Sequence, residues 1–258
     1  MGLRWRSFGP PPGVAAPQAT VPAGTVVYAV GDVHGRSDLL GRLHRGIAHD
    51  AARRKAARRV LVYLGDYFSR GLDSRAVVER VLDWRPPGWE VVALRGNHED
   101  LILRFLDGEL RTGLHWLDYG GVEALAHYGI PMADPAARDE ATAAALRERL
   151  LGALPAAHMD FLLGLVASHR EGGYFFAHGG VLPGVPLEAQ RERDLVWIRK
   201  RFLLSGADHG AVVVHGHCIS PEPEVRPNRI GIDTGAYESG VLTCLVLDGE
   251  ERSFLQTV

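Results

Sequence analysis

The sequence has only two cysteines, Cys218 and Cys244, among 258 residues. That is too few for a disulfide framework and suits a reducing compartment, so a cytoplasmic protein is expected. No run approaches the roughly 20 apolar residues that cross a bilayer, which argues against a membrane partner. Strong charge of one sign is also missing, since the formal net charge is −2. Nucleic acid is therefore not an expected partner. The one local basic run, Arg53, Arg54, Lys55, Arg58 and Arg59, reads as the solvated end of a helix. Residues 1 to 24 lack apolar periodicity and carry Pro10, Pro11, Pro12, Pro17 and Pro22, which predicts a flexible leader.

What is present can bury a core: 46% of the residues are hydrophobic and 23% are charged. The length suits one large α/β domain over residues 25 to 258, expected as a monomer. From Thr25 the chain repeats a unit of short aliphatic run, glycine-rich loop and helical pattern. Thr25 to Val30 leads to Gly31-Asp32-Val33-His34-Gly35 and a helix over about 37 to 57, capped by Ser37 or Asp38. Val60 to Leu64 leads to Gly65-Asp66-Tyr67-Phe68-Ser69-Arg70-Gly71 and a helix over 74 to 84. Trp89 to Leu94 leads to Gly96-Asn97-His98-Glu99 and a helix over 99 to 106. Such alternation predicts a mainly parallel, buried sheet.

Residues 107 to 170 read as a mostly helical insert beside the sheet, broken at Pro131 and Pro155. Two further runs, Tyr174 to Ala177 and Ala211 to Val214, end in His178-Gly179-Gly180 and His215-Gly216-His217. The tail, 229 to 258, holds strand-like runs with short, antiparallel-type connections.

Ligand sites in open α/β sheets lie beyond the carboxyl ends of the strands, where all five motif loops begin. Those loops deliver Asp32, His34, Asp66, Asn97, His98, His178 and His217. Mixed oxygen and imidazole donors suit divalent manganese, iron or zinc rather than soft-metal thiolate chemistry. Each piece alone is weak; their joint order points to a metal site.

The motifs Gly31 to Gly35, Gly65 to Gly71, Gly96 to Glu99, His178-Gly179 and Gly216-His217 resemble the phosphoprotein phosphatase branch of the calcineurin-like metallophosphoesterases. Trp197-Ile198-Arg199 and Gly231 to Ala236 look most like the small bacterial and bacteriophage lambda-type protein phosphatases. The resemblance runs from Thr25 to the C-terminus and implies an α/β sandwich of mixed sheets flanked by helices. It further implies two divalent ions, manganese first, with iron, zinc or nickel as alternatives. Asp32, His34 and Asp66 would hold one ion, and Asp66, Asn97, His178 and His217 the other. Attack would come from a metal-bridging hydroxide. His98 would protonate the leaving oxygen, while Arg70 and Arg199, with Asn97, would hold the phosphoryl group.

One residue departs from the pattern. The family places an aspartate where Ser69 stands, and that carboxylate normally pairs with the catalytic histidine. A serine hydroxyl supplies no charge, so protonation of His98 is less favoured. The family alignment prefers His217 to His215 as the last ligand, leaving His215 near the metals or facing substrate, and Glu99 reads as a helix-start residue or a support to the ligands. The function expected is hydrolysis of phosphate monoesters, phosphoserine and phosphothreonine in proteins foremost. Symmetrical hydrolysis of dinucleoside polyphosphates is the alternative enzyme. A weakly active phosphate-recognition module is the alternative of another class.

Overall fold

A computed structural model describes residues 2–258. Among them the strands run as β1 (Leu3–Arg6), β2 (Thr25–Val30), β3 (Arg58–Tyr63), β4 (Trp89–Ala93), β5 (Ser168–Glu171), β6 (Tyr174–Ala177), β7 (Val212–His215), β8 (Glu224–Val225), β9 (Arg229–Gly231), β10 (Thr243–Asp248) and β11 (Glu251–Thr257). They form two sheets, the sandwich that the resemblance implies and that the alternation of runs does not show by itself, in the orders β1-β11-β10-β2-β3-β4 and β5-β6-β7-β9-β8. In the first sheet the parallel strands β2-β3-β4 form one half and antiparallel β10, β11 and β1 the other, whereas in the second the parallel strands β6-β7-β9 are central and antiparallel β5 and β8 flank them.

Strand periodicity sorts the core into layers, because successive side chains face opposite sides. Val27 and Ala29 of β2, Val60 and Val62 of β3, and Leu245 and Leu247 of β10 meet Phe176, Val214 and Ile230 between the sheets. Val26, Tyr28, Leu61 and Tyr63 face the other way, under the helices α1 (Ser37–Ala51) and α2 (Ser74–Asp83). On the outer face of the second sheet, Phe175 and Val213 pack on Phe202. Each such aliphatic or aromatic burial is worth about 1.5–3 kcal/mol, so the sandwich fixes both strand registers.

The stretch expected as a flexible leader instead supplies an edge strand. Leu3–Arg6 pairs antiparallel with β11, and Phe8 meets Phe254 edge-on at 5.3 Å. Its only strand partner lies some 250 positions away, near the C-terminus, so no local signal marks it. α1 also ends at Ala51, short of the expected 57, and its N-cap is Arg36 with no side-chain cap bond, not Ser37 or Asp38. The basic run accordingly spans a turn and the start of β3. There Arg54 pairs with Asp50 and Asp248, and Arg58 with Glu90 and Glu171.

Between α3 (Asn97–Leu106) and β5 lie α4 (Leu110–Trp116), α5 (Val122–His127), α6 (Glu140–Ala153) and α7 (Ala156–Leu163). Gly120, at φ 93°, turns the chain between α4 and α5. This bend lets its carbonyl accept from the Arg70 amide at 3.4 Å, and Trp116 Nε1 donates to Ser69 Oγ at 2.9 Å. The helical insert is thereby tied to the second motif loop. Among the described residues no helix is long and apolar enough to cross a membrane.

His44 shows what burial does to a titrating group inside this core. It stacks on Trp84 at 4.0 Å, and its Nε2 lies 2.7 Å from the Tyr63 hydroxyl. Desolvation, then the Arg80 charge, pushes its pKa down from 6.5 to about 3. The unfolded chain therefore binds the extra proton first, and stability falls as pH drops from about 6.5 to about 3. The expected loss is on the order of 3–5 kcal/mol across that window. His44→Gln should flatten this fall, read as the difference in urea midpoint between pH 7 and pH 4 for variant and wild type. An equally steep fall in the variant would remove His44 as its source.

Candidate metal centre and phosphate site

All five non-glycine residues with positive φ among those described, His34, Asp66, Ser69, Arg70 and His217, lie on the motif loops. Left-handed backbone costs of order 1–3 kcal/mol at such residues and clusters where a site demands it. The loops are laced together. Val33 and His34 amides donate to Asp66 O, and the Gly71 amide donates to His34 O. Any side chain at Gly96 would strike the Asp66 carboxylate, and one at Gly216 would strike Asp32 Oδ1, so both positions need glycine.

Asp66 is the hub. Its Oδ2 lies 3.2 Å from His34 Nε2 and 3.9 Å from His98 Nε2, and its Oδ1 lies 3.5 Å from His178 Nε2. Asn97 Oδ1 sits between His178 Nε2, at 3.0 Å, and His217 Nδ1, at 2.7 Å. Ligand-type atoms of His34, Asp66 and His98 lie within 4.8 Å of one another, as do those of Asp66, His178 and His217. Asp32 joins from the side, its Oδ2 accepting from the His217 amide at 2.9 Å. The seven residues expected from the motif loops thus share one buried crevice.

The orientation of the imidazoles suits metal binding. His34 Nδ1 lies 2.9 Å from Phe68 O and His178 Nδ1 2.9 Å from Leu64 O. Both carbonyls accept, so each Nδ1 carries a proton and each Nε2 is left facing Asp66, where a metal ion would take up its lone pair. Burial, then the neighbouring His178 and Arg199, pushes His217 down to about 2 and keeps it neutral. Burial with Asp233 and Asp66 nearby raises Asp32 well above the usual carboxylate range. For Asp66 burial pulls upward, but His178, His98 and His34 outweigh it and hold the carboxyl well below that range. Asp32 Oδ1, His98 Nδ1 and His217 Nε2 are buried without a hydrogen-bond partner. Clustered acids and unused lone pairs of this kind fit divalent cations.

Glu99 holds the scaffold rather than joining it. Its carboxylate accepts from the amides of Asp66, Tyr67, Phe68 and Gly96 at 2.9 to 3.2 Å. Burial, then the Asp66 charge, raises its pKa to about 7 against the pull of those donors.

Residues 25–240 match the family model of the calcineurin-like phosphoesterases, which covers the five motif loops and the helical insert. The chain belongs to the calcineurin-like phosphoesterase family. Its fold is the α/β sandwich of that family, with mixed sheets flanked by helices. A solved candidate diadenosine tetraphosphatase superposes with a TM-score of 0.61 at 20% identity, over 95% of this chain and 97% of that one. The cold-active protein-tyrosine phosphatase of a psychrophilic Shewanella gives 0.54 at 18% identity, over 89% and 78%. These likenesses establish the fold. No match was found among curated proteins.

Several residues of this calcineurin-like phosphoesterase come into focus only in three dimensions. His215, which could have faced substrate, points inward: its ring meets Phe202 edge-on at 5.1 Å and its Nδ1 lies 3.0 Å from Gly216 O. Strand alternation along β7 puts it on the Val213 face, away from the crevice. Ser69 Oγ accepts from Trp116, and among the described residues no acid reaches His98 Nδ1. Asp233, just past β9, is a buried acid beside Asp32 and Asp66 that spacing did not single out. Tyr237 was missed as well. It lies on a single helical turn, Ala236–Ser239, flanked by Gly235 and Gly240 in left-handed conformations. The Arg70 guanidinium lies over its ring at 4.8 Å, and the ring meets His34 edge-on at 5.5 Å. Arg70 Nη1 is 3.4 Å from His34 Nε2, whereas the Arg199 side chain is exposed and has no partner among the described residues.

Proposed function

We propose that the chain is a phosphatase of the phosphoprotein phosphatase type that hydrolyses phosphate monoesters, phosphoserine and phosphothreonine in proteins foremost. The observation that carries this is the Asp66 carboxylate, with one oxygen toward His34 and His98 and the other toward His178. A shared carboxylate of this kind suits two ions, one held by Asp32, His34 and Asp66, the other by Asp66, Asn97, His178 and His217. Manganese is the ion proposed first. Such a pair lowers the pKa of a water and neutralises charge on the transferring phosphoryl group. The protein's own part is positional. Arg70, stacked on Tyr237, and the unpartnered Arg199 hold phosphoryl oxygens with guanidinium forks. Asn97 orients the group from the second side. His98 hands a proton to the departing oxygen.

One observation favours a second reading. His98 lacks the carboxylate that would keep it protonated, and hydrolysis of a phosphoanhydride needs that proton less, since a nucleotide leaves more readily than an alkoxide. Dinucleoside polyphosphate hydrolysis is therefore the competing activity, and a solved fold neighbour carries that description. With manganese present, phosphate release from a phosphoserine peptide should exceed nucleotide release from diadenosine tetraphosphate in kcat/KM. The reverse order would replace the first reading with the second. Metal-replete protein inert toward both and toward an aryl phosphate would be a recognition module.

A further inference from the structure

A cavity of about 520 Å³ lies between α3, α4 and a further helix, on chain segments that lead to the crevice, and no carboxylate is among its lining residues. Three walls enclose it, and each connects to a group proposed to handle phosphate. α3 gives Leu101 and Arg104, one and two turns beyond His98. α8 (Glu192–Trp197) gives Arg193 and Trp197, the latter two residues before Arg199. α4 gives Arg111 and His115, and the next residue, Trp116, donates to Ser69 Oγ beside Arg70. Trp197 Nε1 donates to Asp100 Oδ2 at 2.9 Å, which locks α8 against α3.

The cations differ in how far they are already satisfied. Arg104 is held by Glu109 through contacts of 2.6 to 3.1 Å, with Asp100 at 3.7 Å. Arg111 faces Glu140 at 3.5 Å and is almost fully exposed. Arg193 has no partner among the described residues, and it sits one helical turn before Trp197 on α8. The cavity thus offers one unneutralised guanidinium, two partly neutralised ones and a flat indole wall.

We propose that this cavity binds a second phosphate group of the substrate, beyond the one hydrolysed, with Arg193 as its principal cation. The inference rests on the phosphoesterase reading and deepens it. The preferred substrates carry two or more phosphates, either along a polyphosphate chain or on neighbouring residues of a peptide. Guanidinium forks also match carboxylates. Phosphate is favoured because Arg199, two residues beyond Trp197, and Arg70, next to the Ser69 that Trp116 holds, would already grip a phosphoryl group of the same molecule.

The test uses the full chain with free manganese held constant. Hydrolysis of p-nitrophenyl phosphate is inhibited by orthophosphate, by tripolyphosphate or by an unphosphorylated acidic peptide. Tripolyphosphate should bind about tenfold or more tightly than orthophosphate, as one added charge-assisted contact allows. In Arg193→Gln, with Arg111→Gln as an independent second variant, the ratio of the two inhibition constants should fall toward one. Rates on a doubly phosphorylated peptide and on diadenosine tetraphosphate then name the source, through whichever loses more in the variants. An unchanged ratio in both variants, or equal inhibition by the acidic peptide, overturns the proposal. Wild-type protein inert toward p-nitrophenyl phosphate would instead fail the underlying reading. Calorimetric binding of tripolyphosphate would still decide the cavity in that case.

Discussion

Glu99→Gln should lower affinity for divalent metal by about 10–100-fold, although Glu99 is placed to touch no ion. Its two oxygens serve four backbone amides, three from the loop that carries Asp66 and one from Gly96, next to Asn97. A glutamine keeps one acceptor oxygen and turns an NH2 group toward the remaining amides, which belong to buried residues. Each amide left unsatisfied costs about 1–3 kcal/mol. The loop relieves that cost by moving, and Asp66, held at φ 52°, moves with it. Glu99→Asp keeps the charge but shortens the reach, so it should recover part of the affinity. Calorimetric titration of metal into stripped protein reads this directly. Affinity equal to wild type in Glu99→Gln would show that the loop holds its shape without the clamp, and a thermal melt of the stripped variant separates a general loss of fold from this local one.

Much of this hub is legible in the sequence, and the reason is physical. β2 and β6 fall where the aliphatic runs place them, because strands buried on both faces read as unbroken apolar stretches. The glycines beside the acids and histidines mark loops that must pass close to other backbone, as Gly96 does against Asp66. What cannot be read locally is what depends on distant partners. β1, β5 and β8 lie at sheet edges, are short, and are polar or half exposed. The split into two sheets is likewise hidden from the strand pattern, since β2-β3 and β6-β7 carry the same parallel signature, and only the family resemblance implied it. Tyr237 and Asp233 sit in a tail that reads as strands and turns, and only folding brings them beside Arg70 and Asp32. The helical insert has no motif because what it gives the second motif loop is single contacts from scattered positions, an indole N–H on Ser69 and a carbonyl on the Arg70 amide.

That indole bears on the proton supply. His98→Asn should cut kcat on alkyl phosphates by about 10²–10⁴-fold and leave metal content unchanged. Loss of metal in that variant would move His98 among the ligands, where its 3.9 Å separation from Asp66 Oδ2 leaves room for it. Burial, only partly offset by Asp66, pushes His98 down to about 3, with His34 and Arg70 adding to the fall. An imidazole in that state holds a proton poorly, and its Nδ1 has no acceptor to stabilise the charge. Ser69→Asp would place a carboxylate on the loop where the family carries one. Aspartate tolerates the local φ of 75° better than most residues, and Trp116 Nε1 can donate to a carboxylate as it does to the hydroxyl. The pKa of His98 should then rise. Turnover should increase more on alkyl than on aryl phosphates, because only the poorer leaving group needs the proton in the transition state. Plotting log kcat/KM against leaving-group pKa for both proteins measures this as a shallower slope in Ser69→Asp. Parallel lines would mean that the serine does not limit proton delivery and that His98 acts without a carboxylate partner.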